Sequence, residues 1–150
     1  MKEIKCVILN IMTKVIVDTS VVIKWFFSEN EADLGQSDNF LKQVKAGEVE
    51  IIVPKIILLE LANVAKFGKK VDEDVCRQVL STFNDLVTEY LDLPGSEELI
   101  KNFYLGDLTS YDAVFVTLAD LKEMPLLTAD YKHHKKSISP NIVWLSEWKS

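Results

Sequence analysis

The run KVIVDTS, Lys14 to Ser20, constrains the fold more than any other part of this chain. Val15, Ile16 and Val17 follow one another without a polar break, and the run stops on Asp18. A strand with one wet face alternates apolar and polar residues. A continuous apolar run instead needs cover on both faces, the environment of a parallel sheet. EIIV (Glu50–Val53, stopped by Pro54), MPLLTAD (ending at Asp130) and NIVWL near the C-terminus give three more short strands.

Helical spacings lie between them. The first strand ends in a polar turn, VVIKWFF continues as a short apolar segment, and Ser28 with its acidic followers reads as a helix start. That helix buries Leu34, Phe40, Leu41 and Val44 and stops at Gly47. A second helix opens just after Pro54 and carries Ile57, Leu58, Leu61, Val64 and Ala65 inward. Asp72 caps a third, with Val75, Val79, Leu80 and Phe83 at helical spacing; Ser96 caps a fourth that ends near Gly106. Thr109 or Ser110 opens a fifth through Leu121. Strands alternating with helices predict an α/β fold whose parallel sheet is covered on both faces. Ligands of such sheets sit at the carboxyl ends of the strands.

With 150 residues, 5 Gly and 4 Pro, the chain reads as a single domain over residues 1–150 with no flexible linker. Residues 1–11 leave two readings open, an extra edge strand or an extension upstream of a natural start at Met12. MKEIKCVILNIM has neither the long apolar core of a signal peptide nor the length of a membrane span. Cys6 and Cys76 fit no metal-ligand spacing or disulfide framework, so two reduced thiols in a cytoplasmic protein are expected. Acids outnumber bases 23 to 17, for a net charge of −6. That excludes nucleic-acid binding through a broad basic face and leaves contacts that are local or bridged by metal.

Four of the acids are placed unusually. Asp18 and Asp130 directly follow apolar strands, while Glu60 and Asp112 fall in the opening turns of helices. Strand ends and helix openings share one edge of such a sheet, so all four can reach one crevice. Each also has a plainer explanation. An acid near a helix N-terminus is stabilised by about 0.3–1 kcal/mol, which by itself accounts for Asp112. Asp18 and Asp130 could likewise cap the helices after their strands. Glu60 is harder to dismiss, because LL and LA flank it and an unpaired charge there is costly. The acids of SENEAD, VDEDV and GSEEL read as surface.

A carboxylate cluster is the donor set of Mg²⁺ or Mn²⁺. Without a cation the carboxyls would raise one another's pKa. With one, phosphodiester hydrolysis is the natural chemistry.

At VIVDTSVVIKWF, VPKIILLELANV, TSYDAVFVTLAD and PLLTAD the sequence resembles the PIN-domain family, and within it the VapC-type toxins of toxin–antitoxin pairs. The four motifs stand in the family's order and spread from Lys14 nearly to the end. The resemblance implies a three-layer α/β/α sandwich, Mg²⁺- or Mn²⁺-dependent endoribonuclease activity, an antitoxin partner and a homodimer. The family's acidic quartet falls on Asp18, Glu60, Asp112 and Asp130, which would hold the metal and carry catalysis. Its polar helpers fall on Ser20 and Thr128, whose hydroxyls serve equally well to stabilise turns. Asn63, one helical turn after Glu60, is a further candidate for the cleft.

RNA still needs positive surface. KHHKK (Lys132, His133, His134, Lys135, Lys136) directly follows Asp130 and is expected as a solvated basic loop that contacts phosphate, with Lys24 and Lys55 as lesser candidates. Trp25, Phe26 and Phe27 suit a core, a partner interface or base stacking. Trp144 and Trp148 read as structural. Two alternatives stand beside the toxin: a PIN nuclease of RNA processing or turnover, and a binding protein whose acidic pocket holds metal without turnover. A haloacid-dehalogenase-like phosphatase is excluded, because Ser20 stands where its second Asp belongs.

Overall fold

A computed structural model describes residues 12–149; the expectations for residues 1–11, including Cys6, lie outside it. The element order is β1 (Thr13–Val17), α1 (Thr19–Phe26), α2 (Leu34–Lys45), β2 (Val49–Pro54), α3 (Ile57–Asn63), α4 (Glu73–Leu86), β3 (Val87–Leu91), α5 (Ser96–Leu105), α6 (Ser110–Lys122), β4 (Leu126–Thr128), α7 (Tyr131–His134) and β5 (Ile142–Trp144). A π-type turn over Val64–Gly68 prolongs α3, and a 3-10 turn covers Leu145–Glu147.

The five strands form one sheet in the order β3-β2-β1-β4-β5, and every pairing is parallel. In register, Val15 faces Ile51 and Val17 faces Leu127. α1 packs on α2 and α3, and α3 on α4, while α5 packs on α6, two groups that the right-handed crossover rule assigns to opposite faces of the sheet. The expected α/β/α sandwich is the observed architecture.

The apolar runs become the middle of the sheet. Val15, Ile16, Val17, Ile51, Val53, Leu126 and Leu127 have no exposed surface. β3, absent from the sequence reading, is an edge strand with exposed Thr88 and Glu89, so no apolar run marks it. VVIKWFF is helical, because Asp18 ends the strand and α1 starts at Thr19. Ser28 starts no helix; α2 begins at Leu34, behind Asp33 in the left-handed region at φ 56°. Gly47, at φ 74°, closes that helix as expected.

The aromatic segment packs inward. Trp25 lies 6.0 Å from Phe40 and 6.4 Å from Phe83, and Phe26 and Phe27 also join the core. That removes Trp25 as an open docking or base-stacking surface. Trp148 packs edge-on against Phe40 at 5.0 Å and donates Nε1–H to Gln43 Oε1 at 2.7 Å. Among the described residues no helix is long and apolar enough to cross a membrane.

Candidate active site

Successive crossovers run one way from β1 to β3 and then jump back across β1 to β4. The crevice beyond the carboxyl ends of β1 and β4 is therefore the topological switch point, where ligands of open α/β sheets bind. An open cleft of about 390 Å³ lies there, and Asp18, Glu60, Asp112 and Asp130 all line it.

Asp18 leaves β1 as the residue before α1, and its N–H donates to Leu127 O at 2.9 Å. Asp18 is 4% exposed, and its side chain is gripped from α1 and β4. Ser20 Oγ and Thr128 Oγ1 donate to the same Asp18 Oδ2, at 2.8 Å and 2.7 Å. Each hydroxyl oxygen also accepts a backbone N–H, Ser20 from Ala129 at 3.0 Å and Thr128 from Asp130 at 3.1 Å. Both hydroxyl protons are thereby committed to the one Asp18 oxygen.

Thr109 caps α6 by accepting from Asp112 N at 3.2 Å, and its hydroxyl donates to Asp112 Oδ2 at 2.7 Å. Glu60 accepts from Thr19 Oγ1 at 2.7 Å. Burial, reinforced by the charges of Asp18 and Asp112, pushes the Glu60 carboxyl up to about 7 although the Thr19 bond pulls it down. Asp130 caps the short α7. Its Oδ1 accepts from His133 N at 3.1 Å, and its Oδ2 meets His133 Nδ1 at 2.5 Å.

The basic segment departs from expectation at one residue. α7 turns His134 back over the sheet edge, where it is 1% exposed, so it is no part of a solvated loop. Its Nε2 stands 3.6 Å from Asp112 Oδ1 and 3.7 Å from Asp18 Oδ2, ion-pair separations too long for hydrogen bonds. Burial opposes a charge on the ring, but the two carboxylates outweigh it and lift the His134 pKa to about 9. The same interaction, with Thr109, holds Asp112 below the usual carboxylate range against the opposing pull of burial. The sequence did carry a signal for His134: four residues after a capping aspartate, it completes one helical turn.

Asp18, Asp112 and His134 are the one group among the described residues whose ligand atoms all lie within 4.8 Å of one another. Glu60 and Asp130 line the cleft without joining that group. Lys132, His133, Lys135 and Lys136 are exposed, and Lys136 pairs with Asp107 at 2.8 Å. Lys24 lines the cleft but is held by Glu31 at 2.7 Å, and Glu31 also takes Lys69 at 2.8 Å. Two candidates miss the cleft. Lys55 is exposed against Asp92, and Asn63 opens onto a separate groove with Lys66, Phe67 and Arg77.

Residues 15–138 match the family model of the PIN domain. The chain belongs to the PIN-domain family. No curated protein matches the sequence. Solved structures share this PIN domain's fold at low identity. PAE2754 from Pyrobaculum aerophilum is 17% identical with a TM-score of 0.66, covering 91% of this chain and 93% of its own. The DNA-bound VapBC from Salmonella typhimurium gives 13% and 0.62, covering 89% and 99%. VapBC2 from Rickettsia felis, bound to a promoter DNA fragment, gives 19% and 0.60, covering 91% and 100%.

Proposed function

We propose that this PIN domain is a divalent-metal-dependent endoribonuclease, the toxin of a VapBC-type pair. One observation carries the reading: four acids from distant parts of the chain line a single cleft at the switch point of the sheet. The donor set fits a cation, since hard carboxylate oxygens suit Mg²⁺ or Mn²⁺. Glu60 is raised first by burial and then by the charges of Asp18 and Asp112, and a cation beside these carboxylates would offset that repulsion. Asp18 and Asp112 would hold the ion, with Asp130 and Glu60 beside it. When bound, such an ion activates water and offsets phosphate charge.

The chain's own residues supply the rest. Ser20 and Thr128 fix the Asp18 carboxylate, and Thr109 fixes that of Asp112. Glu60, oriented by Thr19 and with a proton affinity near neutrality, accepts the proton of the attacking water. The exposed Lys132, His133 and Lys135 contact RNA phosphates; buried His134 leaves that set. An antitoxin, supported by the two VapBC complexes among the structural neighbours, completes the reading together with a second copy of the chain.

Asp18→Asn and Asp112→Asn should each lower RNA cleavage in Mg²⁺ or Mn²⁺ by roughly 10²–10³-fold while circular dichroism stays native. Undiminished cleavage by both purified variants refutes the reading. A small antitoxin-like reading frame beside this one separates the toxin from a processing nuclease.

A further inference from the structure

Neither ring nitrogen of His134 has a hydrogen-bond partner among the described residues, although the side chain is fully enclosed. A buried polar group left unpaired costs free energy and needs a reason. The backbone of α7 is anchored where His134 N donates to Asp130 O at 3.1 Å, and the imidazole lies beside Asp18 and Asp112, two of the cleft's acids. Nε2 thus faces two carboxylates without bonding to either. A charge-assisted hydrogen bond would close to about 2.7–2.9 Å. Two ligands each about 2.1 Å from one octahedral ion stand about 3 Å apart. The observed 3.6 and 3.7 Å are too long for a direct bond, and the ligand atoms of Asp18, Asp112 and His134 all lie within 4.8 Å of one another, a span that donors to one ion can share.

We propose that His134 gives an imidazole nitrogen to the ion held by Asp18 and Asp112, so that the site favours a first-row transition ion such as Mn²⁺ over Mg²⁺. The proposal rests on the metal-dependent reading of the cleft. Mg²⁺ is served by carboxylates, water and phosphate, whereas imidazole suits transition ions. One nitrogen among oxygen donors therefore shifts preference away from Mg²⁺. It also explains why a histidine is buried among acids rather than left with the exposed lysines of the same segment.

The test uses the full chain and Mn²⁺ alone. Pulsed electron paramagnetic resonance of the bound Mn²⁺ should show coupling to a histidine nitrogen, verified by ¹⁵N-histidine labelling. The chain has only two histidines, so assignment is direct. The coupling should survive in His133→Gln and vanish in His134→Gln. By calorimetry His134→Gln should also lower the Mn²⁺-to-Mg²⁺ affinity ratio by at least roughly tenfold, since loss of even an outer partner costs about 10–100-fold in metal affinity. Mn²⁺ bound to the wild-type chain without nitrogen coupling overturns the proposal and leaves the metal-dependent nuclease standing. Coupling that follows His133 also overturns it. Failure of both ions to bind overturns the nuclease reading as well. Should His134→Gln not fold, the labelled wild-type and His133→Gln spectra decide the matter.

Discussion

Thr128 shows how much of the site rests on one hydroxyl. It has no exposed surface, donates to Asp18 Oδ2 at 2.7 Å and accepts from Asp130 N at 3.1 Å. Thr128→Val keeps the volume and leaves both partners short of a bond, one of them a buried carboxylate. It should cost about 1–3 kcal/mol in urea unfolding. A change below about 0.5 kcal/mol would match an ordinary surface substitution and contradict this role. The value of Thr128 was visible in PLLTAD only through the family pattern, because nothing in six residues tells that its hydroxyl meets Asp18 from another strand. His134 was less legible still. Amid KHHKK its charge pointed to solvent, and only the one-turn helix begun by Asp130 reverses its direction. Asn63 failed the opposite way. Its helical offset from Glu60 was right, but the chain turns it toward another groove.

Among the elements, those with a strong apolar period were legible and those without were not. α6 declared itself through its cap and its apolar run, and residues from Ala113 to Ala119 are all buried. β3 and α7 passed unseen: one is a half-exposed edge, the other four residues long. α1 read only as a short apolar segment, because an apolar strand and an apolar helix meet at Asp18 with only Thr19 and Ser20 to mark the change. Helix caps here have two distinct duties. Asp72 caps α4 by accepting from Val75 N at 2.9 Å and is not among the residues that line the cleft. Thr109 caps α6 and also grips Asp112. Asp72→Ala and Thr109→Ala should both cost about 0.5–2 kcal/mol of stability. Only Thr109→Ala should weaken divalent-ion affinity, by roughly tenfold or more. Equal metal binding by the two variants, measured calorimetrically, would deny Thr109 a part in the site.

At the scale of the whole molecule, the cleft concentrates charge that the fold must tolerate, and this sets a pH dependence. Glu60 rises from 4.5 to about 7 on folding, and His134 from 6.5 to about 9. Both folded-state values lie above their unfolded ones, so the folded chain binds protons more tightly than the unfolded chain. The contribution of Glu60 is full below about 4.5 and is lost as pH climbs to about 7; that of His134 is full below about 6.5 and is lost by about 9. Asp112 and Glu31 move the other way, but their depressed values make their contributions complete well below neutrality. Across pH 5 to 9 the two raised groups therefore govern, and self-repulsion in a chain of net charge −6 acts in the same direction. With divalent ions chelated, the urea midpoint should fall steadily over that range. His134→Gln should flatten the part above about pH 7 and leave the lower part in place, which separates the imidazole from general charge repulsion. A midpoint that stays level or rises between pH 5 and 9 in the wild-type chain would mean that Asp18 and Asp112 do not hold a protonated His134 between them.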